Sequence, residues 1–344
     1  MRWRSVAPAV IFAVIAALPT WSERRTEPPP AAPAVFVPAA AAPDPPGPVD
    51  PGEVEVGTRQ EPVTQPTAAG VDAAAVLSPR GVVVPVLGRD GSGWKVSTPC
   101  GREAVLARAT PISNGPVVLD PGHGGYDPGA VGPNGLSESA LNLAVSRHAA
   151  AALERAGFPT VLTRNGDHGM NLANRARLAV GLQARAFVSV HHNAAAWAPS
   201  RIPGSEAYHQ VGSAESKRLA GLVYEEVVAA LRAYDVAWVT SGVGVTWRTR
   251  SNGEDWYAMV RQPKGVAAAL AELAFLSNPA EAELLADPEV QRVEGEAVAR
   301  GIIRFLTTSD PGSGYVEGGQ MPPRPRAGPR QGGGGDLECD DPAL

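Results

Sequence analysis

Residues 116–139 read PVVLDPGHGGYDPGAVGPNGLSES, and this stretch decides how the rest of the chain is organised. It starts as a short apolar strand over 117–119, which then breaks into a loop rich in glycine. Glycine permits sharp turns with positive φ, so such a loop can aim a side chain inward. His123 lies in the loop, and a helical pattern begins at its end, at Glu138. This order predicts a site at the carboxyl edge of a sheet.

Two further histidines follow another predicted strand. Residues 186–192 read AFVSVHH, an apolar run that ends in His191 and His192. Strand ends at one edge of a parallel sheet converge, so residues distant in sequence can meet there. Two imidazoles and one carboxylate are typical of a catalytic zinc site that keeps a position open for water. We therefore predict that His123, Glu138 and His191 bind a metal ion and that the metal is Zn2+.

The adjacent histidines cannot both be primary ligands. Successive side chains of a strand point to opposite faces of the sheet, so one of the pair faces the site and the other faces away. The alternation alone does not decide between His191 and His192. Taken singly, His123 also reads as an ordinary loop histidine, and Glu138 as a first-turn carboxylate favoured by the helix dipole.

A hydrolytic metal site needs a general base nearby, and residues 270–275 (LAELAF) supply a candidate. Glu272 has apolar neighbours on both sides, and burying a carboxylate without a partner or a function is costly. We therefore predict that Glu272 acts as general base and then as general acid. The alternative is a structural ion pair between Glu272 and an arginine such as Arg164 or Arg175.

Strand and helix patterns alternate from residue 114 to residue 307. Such alternation predicts an α/β domain with a twisted, mostly parallel sheet and helices on both of its faces. Strands are predicted at 117–119, 159–163, 186–192, 205–211, near 243–247, at 257–260 and in the latter part of 267–274. Helices are predicted from the cap residues Ser137, Asn171, Ser213, Asn278 and Asp287, the last helix ending near residue 306.

The two ends of the chain have a different composition. Residues 1–23 combine a basic start with an apolar run shorter than the roughly 18 residues of a membrane span, so we expect a signal peptide rather than a retained anchor. Residues 24–72 are rich in proline and alanine, and residues 308–344 are rich in glycine and polar residues. Both segments are predicted to be disordered, because they lack the apolar pattern of a core.

A short segment with strand character precedes the main domain. Residues 76–110 contain two apolar runs, 82–87 and 94–97, around a turn with two glycines. The pattern predicts a small β hairpin or subdomain.

Charge and cysteine content narrow the class of protein. The net charge is −5, and no basic run suggests a nucleic-acid partner. Two cysteines, Cys100 and Cys339, are too few for a disulfide scaffold. They can pair in an exported protein or remain two unrelated thiols, and the sequence leaves both open.

Five segments, in order, resemble the motifs of the zinc-dependent N-acetylmuramoyl-L-alanine amidases of the amidase-3 family. They are VVLDPGHGGYDPGAVGPNGLSESALNL, LTRNGDHGMNLANRARLA, FVSVHHN, GSEAYH and LAELAFLSNPAEAELL. The resemblance implies that His123, Glu138 and His191 hold zinc and that Glu272 is the catalytic glutamate. It also implies a small residue at the position of His192, where this chain departs from the family pattern.

The resemblance further implies a substrate and a location. The substrate is peptidoglycan or a muropeptide, cleaved at the amide between N-acetylmuramic acid and the L-alanine of the stem peptide. We expect a monomer that is secreted or held in the cell envelope, without stable membrane insertion after signal cleavage.

Two alternatives stay open. One is a zinc amidase or peptidase acting on soluble muropeptides or peptides. The other is a non-catalytic wall-binding module, which we expect to have lost a ligand or the glutamate, whereas this chain keeps all four residues.

Overall fold

The structure is a computed structural model that describes residues 73–194, 199–239, 244–312 and 339–344. The predicted signal peptide and linker, residues 1–72, lie outside the described residues, as do residues 313–338 of the predicted tail. Within the described ranges, none of the helices combines the length and the apolar character needed to cross a lipid bilayer.

A five-stranded antiparallel sheet precedes the main domain. Its strands are β1 (Ala75–Leu77), β2 (Val83–Asp90), β3 (Gly93–Ser97), β4 (Glu103–Leu106) and β5 (Thr110–Pro111). They lie in the order β4-β3-β2-β1-β5, and every neighbouring pair is antiparallel. Buried Val76, Val84, Trp94 and Val96 give this sheet a small core of its own. The predicted β subdomain is therefore present, and it is larger than a hairpin.

The last six residues of the chain lie against this small sheet. Cys339 forms a disulfide with Cys100, the pairing that the sequence leaves open. Asp341 accepts hydrogen bonds from the hydroxyl of Thr98 and the backbone N–H of Cys100, both at 2.8 Å. The prediction of a disordered tail is therefore wrong for residues 339–344, because a covalent bond and hydrogen bonds hold them in place.

Strands and helices alternate through the main domain, as predicted. Its strands are β6 (Val117–Pro121), β7 (Thr160–Leu162), β8 (Ala186–Asn193), β9 (Pro199–Ser200), β10 (Glu206–His209), β11 (Trp238–Val239), β12 (Val245–Thr246) and β13 (Ala268–Phe275). Its helices are α1 (Glu138–Arg155), α2 (Leu172–Gly181), α3 (Ala214–Leu231), α4 (Ala258–Arg261), α5 (Pro279–Leu285) and α6 (Pro288–Thr307).

Six of these strands form the central sheet, in the order β12-β10-β13-β8-β6-β7. β10 and β13 are antiparallel, and the other four neighbouring pairs are parallel. β9 and β11 form a separate two-stranded sheet. The predicted α/β fold with a mostly parallel sheet is confirmed.

Helices cover both faces of the central sheet. α1, α3 and α6 pack on one face, where Val188 and Val190 of β8 point. α2 and α4 pack on the other face, where Phe187 points. α6 comes very close to its neighbours, because a Cβ at Gly301 would lie 2.5 Å from the backbone of Val223. Because β6 and β8 are parallel neighbours, their carboxyl ends lie at the same edge of the sheet, between these layers.

Side-chain caps start the helices where the sequence predicts them. Ser137, Asn171, Ser213, Asn278 and Asp287 each accept a hydrogen bond from a backbone N–H of the first turn. Such a bond satisfies a donor that the helix itself leaves free. The start of α1 at Glu138 is thereby fixed by its own cap.

The prediction of a strand at 257–260 is wrong. The segment forms the short helix α4, in which the N–H groups of Val260 and Arg261 donate to the carbonyl of Tyr257. An apolar run of four residues has no periodicity that separates a helix from a strand. The predicted strands near 243–247 and in the latter part of 267–274 are present as β12 and β13, although residues 241–243 lie outside the described part.

The disulfide gives a first prediction. Replacing Cys339 by Ser should lower the free energy of unfolding by about 2–4 kcal/mol, because the open chain gains loop entropy when it unfolds. Urea denaturation followed by circular dichroism measures the difference. Dithiothreitol should produce the same loss in the wild type and none in Cys339→Ser. Identical midpoints for the oxidised and reduced wild type would contradict a stabilising disulfide.

Candidate metal centre

Three side chains meet at the edge of the sheet where β6 and β8 end. His123 follows β6 by two residues, Glu138 is the first residue of α1, and His191 lies near the end of β8. One potential ligand atom of each lies within 4.8 Å of the other two. The structure thus brings together the three residues that the sequence predicts as ligands.

The carboxylate of Glu138 is the centre of this group. It is 5% exposed. Its Oε1 lies 3.1 Å from Nε2 of His123 and 3.0 Å from Nδ1 of His191, and its Oε2 accepts a hydrogen bond from the N–H of Ala130 at 2.8 Å. Burial raises the pKa of Glu138, but the two histidines outweigh burial and hold the pKa well below its ordinary value. The group is therefore an ionised carboxylate at neutral pH.

His123 has an unusual backbone conformation. Its φ of 62° lies in the left-handed region, which residues other than glycine seldom adopt. Its Nδ1 lies 2.8 Å from the carboxylate of Asp127, which leaves Nε2 facing Glu138. Burial lowers the pKa of His123, but the hydrogen bonds to Asp127 and Glu138 outweigh it and raise the pKa to about 10. A carboxylate behind the ring and a strained backbone are typical of a metal-binding histidine.

Two glycines make room for the three side chains. A Cβ at Gly122 would collide with the ring of His191. A Cβ at Gly129 would lie 2.6 Å from Oε2 of Glu138 and 2.7 Å from the ring of His123. Any larger residue at either position would push a predicted ligand out of place. The glycine content of the loop is therefore a steric requirement of the site.

Two buried arginines donate hydrogen bonds to the backbone of the glycine-rich loop. Arg175 of α2 donates to the carbonyls of Pro121 and His123, both at 2.7 Å, and pairs with Asp120 at 2.8 Å. Arg164 donates to three backbone carbonyls around the loop at 2.7–2.9 Å. The backbone carbonyls of the loop thus find donors although they are shielded from water.

His191 and His192 face opposite sides of β8. His191 faces Glu138 and His123, with its ring edge-on to that of His123 at 4.9 Å between centroids. His192 is 1% exposed and faces α1 and α6, where Nδ1 lies 2.7 Å from Oδ1 of Asn142. The geometry therefore places His191, and not His192, in the candidate centre.

Glu272 lies beside this centre. It pairs with His191 in the parallel register of β13 and β8, so the two side chains lie on the same face of the sheet. The structure gives Arg164 and Arg175 the partners described above, in place of the ion pair with Glu272 that the sequence leaves open. The position of Glu272 agrees with the predicted general base, and its role stays a prediction.

A second glutamate lies next to Glu272, on the neighbouring strand of the sheet. Glu206 of β10 is the antiparallel register partner of Glu272 and is 1% exposed. Its Oε2 accepts hydrogen bonds from the hydroxyl of Tyr208 at 2.7 Å and from Asn193 at 3.0 Å. Two carboxylates therefore lie side by side at this edge of the sheet.

Two residues that complete the site, Asp127 and Glu206, are not among those predicted from the sequence, whereas Asn142 is expected there as a supporting residue and not as a catalyst. Asp127 carries a signal, since a carboxylate four residues after a predicted ligand can bind the second nitrogen of its ring. Asn142 is one helical turn after Glu138 and therefore lies on the same side of α1. Glu206 lies in the segment GSEAYH, but nothing in that segment indicates its partner Glu272 on another strand.

The donor set fits a zinc ion. Two imidazole nitrogens and one carboxylate oxygen are donors that zinc accepts at catalytic sites. A cation would compensate the buried charge of Glu138. Asp127 is positioned to orient the ring of His123 toward that cation.

Known proteins match the main domain. A family model described as N-acetylmuramoyl-L-alanine amidase matches residues 117–304, more than half of the chain. YqiI from Bacillus subtilis (strain 168) is 34% identical over 215 residues, which cover 61% of this chain and 95% of YqiI. The N-acetylmuramoyl-L-alanine amidase AmiC from Neisseria meningitidis is 30% identical over 221 residues, covering 56% of this chain and 53% of AmiC.

A solved structure matches the same region. Cwp6 from Clostridium difficile has a TM-score of 0.51 and 27% identity, over 59% of this chain and 32% of Cwp6. The chain therefore spans nearly all of YqiI, about half of AmiC and about a third of Cwp6.

Asp120 gives a prediction with a defined pH dependence. Burial raises its pKa, but Arg175 and the hydroxyls of Thr163 and Ser189 outweigh burial and lower the pKa below its ordinary value of 3.8. Its contribution to stability is therefore complete above pH 3.8 and is lost as the pH falls through the lower folded-state pKa. Asp120→Asn should cost about 3–5 kcal/mol at pH 7, because it leaves Arg175 buried without its partner.

Urea denaturation at a series of pH values tests this. The difference in the free energy of unfolding between wild type and Asp120→Asn should become smaller below about pH 4. Glu154→Gln, an exposed carboxylate on α1, is the control and should show little difference at any pH. A gap between wild type and Asp120→Asn that widens in acid would contradict the ion pair.

The metal centre gives a further prediction. His123→Ala, Glu138→Ala and His191→Ala should each lower zinc affinity by about 100-fold or more, because each removes one of three predicted ligands. Equilibrium dialysis followed by metal analysis measures the affinity. His148→Ala, a histidine on α1 outside the centre, is the control and should bind one zinc ion as tightly as the wild type. Undiminished binding in all three ligand variants would place the metal elsewhere.

Proposed function

The chain belongs to the N-acetylmuramoyl-L-alanine amidase family, and we propose that His123, Glu138 and His191 hold a zinc ion at which Glu272 directs the hydrolysis. The chain is a hydrolase of peptidoglycan that cleaves the amide between N-acetylmuramic acid and L-alanine.

The convergence of two imidazoles on one carboxylate carries this proposal. The three residues come from three elements and lie up to 68 positions apart, yet their ligand atoms are within 4.8 Å of one another. When bound, zinc polarises the carbonyl of the substrate and lowers the pKa of a water molecule to about 7.

Glu272 is proposed to move the proton. Its carboxylate takes a proton from the water as the water oxygen forms a bond to the amide carbon. When the carbon–nitrogen bond breaks, Glu272 gives that proton to the nitrogen of the departing L-alanine. Its register position beside His191 supports the assignment, because the base has to lie within reach of the same water.

Glu206 is proposed to support Glu272 from the next strand. Its hydrogen bonds to Tyr208 and Asn193 fix its carboxylate at the register position opposite Glu272.

We further propose that the protein acts in the cell envelope as a monomer. Peptidoglycan is the substrate of the family, and the disulfide between Cys100 and Cys339 suits an oxidising compartment. Size-exclusion chromatography with light scattering measures the oligomeric state.

Glu272→Gln separates chemistry from metal binding. The variant should bind zinc as the wild type does but hydrolyse a purified muropeptide about 100- to 10,000-fold more slowly, because the amide cannot accept the proton. Mass spectrometry of the products measures the rate and should identify a peptide with L-alanine at its amino end. A chelator should abolish the wild-type reaction, and added zinc should restore it.

Two outcomes would reject this assignment. Turnover by Glu272→Gln at the wild-type rate would remove Glu272 from the reaction. Wild-type products in which the stem peptide is cut elsewhere would point to a peptidase.

A further inference from the structure

We propose that a buried hydrogen-bonded chain, Glu294–His192–Asn142, is a positioning element that fixes the carboxylate of Glu138 for zinc binding. The inference rests on the proposed role of Glu138 as a ligand. It gives a role to His192, the residue that departs from the family pattern, and to Asn142 and Glu294, which the proposed reaction does not use.

His192 connects two helices across the back of β8. Its Nδ1 lies 2.7 Å from Oδ1 of Asn142 on α1, and its Nε2 lies 3.4 Å from Oε2 of Glu294 on α6. The side chains of His192 and Glu294 have no exposed surface. Water therefore cannot replace either hydrogen bond, and the ring is held at both of its nitrogens.

The amide of Asn142 has one orientation that satisfies its neighbours. Its Nδ2 lies 3.3 Å from Oε1 of Glu138 and 3.4 Å from the carbonyl oxygen of Gly122, and both of these atoms are acceptors. Its Oδ1 therefore faces His192, whose Nδ1 donates to it. A flipped amide would direct Oδ1 at the carboxylate of Glu138 and place two acceptors together. The donor at Nδ1 of His192 thus stabilises the amide orientation in which Nδ2 faces Glu138.

Glu294 anchors the far end of the chain. Its Oε1 has no hydrogen-bond partner among the described residues, so its polar contact there is the one with His192. The neighbouring Gly295 brings α6 against α1, since a Cβ at that position would lie 2.5 Å from the carbonyl oxygen of Val145. α6 is therefore in close contact with α1 at the position next to Glu294.

The effect on the centre follows from geometry. Glu138 and Asn142 are four residues apart on α1, so Asn142 approaches the carboxylate from the protein side while the two imidazoles approach the same Oε1. The hydrogen bond from Asn142 restricts rotation of the Glu138 carboxylate. Residues that orient metal ligands in this way typically contribute about 10- to 100-fold in metal affinity.

Zinc affinity in a double-mutant cycle tests the inference. His192→Phe keeps a ring of similar size but has no donor for Asn142, and it should weaken zinc binding by about 10- to 100-fold. Asn142→Ala should weaken it by a similar factor. In the Asn142→Ala background, His192→Phe should add no more than about twofold, because the path to Glu138 is already cut. Competition with a chelator of known affinity gives each constant.

Three further variants separate positioning from folding. His209→Phe replaces another buried histidine, at the end of β10 away from the centre, and should leave zinc affinity unchanged. Glu294→Gln can still hydrogen bond to Nε2 and should keep most of the affinity. If His192→Phe does not fold, His192→Phe/Glu294→Leu removes both polar ends, and the same loss of affinity is expected. Melting temperatures of the zinc-free proteins report the purely structural effect.

Each outcome has one meaning. Wild-type affinity in His192→Phe, or in its double variant with Glu294→Leu, would overturn the inference while leaving the metal centre intact. Equal losses from His192→Phe with and without Asn142 would also overturn it, because the effect would not pass through that amide. A wild-type protein that binds no zinc would overturn the proposed function and this inference together.

Discussion

A buried carboxylate that must be compensated is the constraint on which the rest of the structure depends. Glu138 is 5% exposed and receives hydrogen bonds or ion pairs from both imidazoles and from Ala130, Asn142 and the backbone of His192. The first turn of α1 adds the positive end of the helix dipole. Without these groups, burial of the charge would oppose folding. The ligand atoms of His123, Glu138 and His191 also lie close enough together to bind a single cation.

The fold supplies these partners from distant parts of the chain. Parallel strands bring the ends of β6 and β8 to one edge, and Arg175 and Arg164 hold the loop that follows β6 by its carbonyls. The small N-terminal sheet supports this arrangement, because Thr98 and Pro99 accept hydrogen bonds from Asn174 and Asn171 at the start of α2. α2 in turn carries Arg175. The disulfide and Asp341 secure the turn at Cys100, so the last six residues contribute to the rigidity of the same support.

Sequence reasoning reached the features that depend on local pattern or on a short motif. Ser137 caps α1, as its place before the helical pattern predicts, and the glycine-rich loop directs His123 toward Glu138, as its composition predicts. It failed where four apolar residues fit a helix as well as a strand, as in α4. Alternation along β8 gives two faces and does not say which one the site occupies, so the choice of His191 over His192 depended on the resemblance to the family motif. Glu206 pairs with Glu272 and Glu294 contacts His192, both on other elements, and no pattern within their own segments indicates those contacts.

The two faces of β8 have different roles in the site. His191 faces the open edge with His123 and Glu138, and His192 faces the closed core with Asn142 and Glu294. The central claim is that Glu138 and two imidazoles gather one zinc ion at this edge. X-ray absorption at the zinc edge of the loaded wild-type protein tests it most directly. The account predicts a first shell of nitrogen and oxygen with two imidazole rings for each zinc ion, and a shell with one imidazole or none would contradict it.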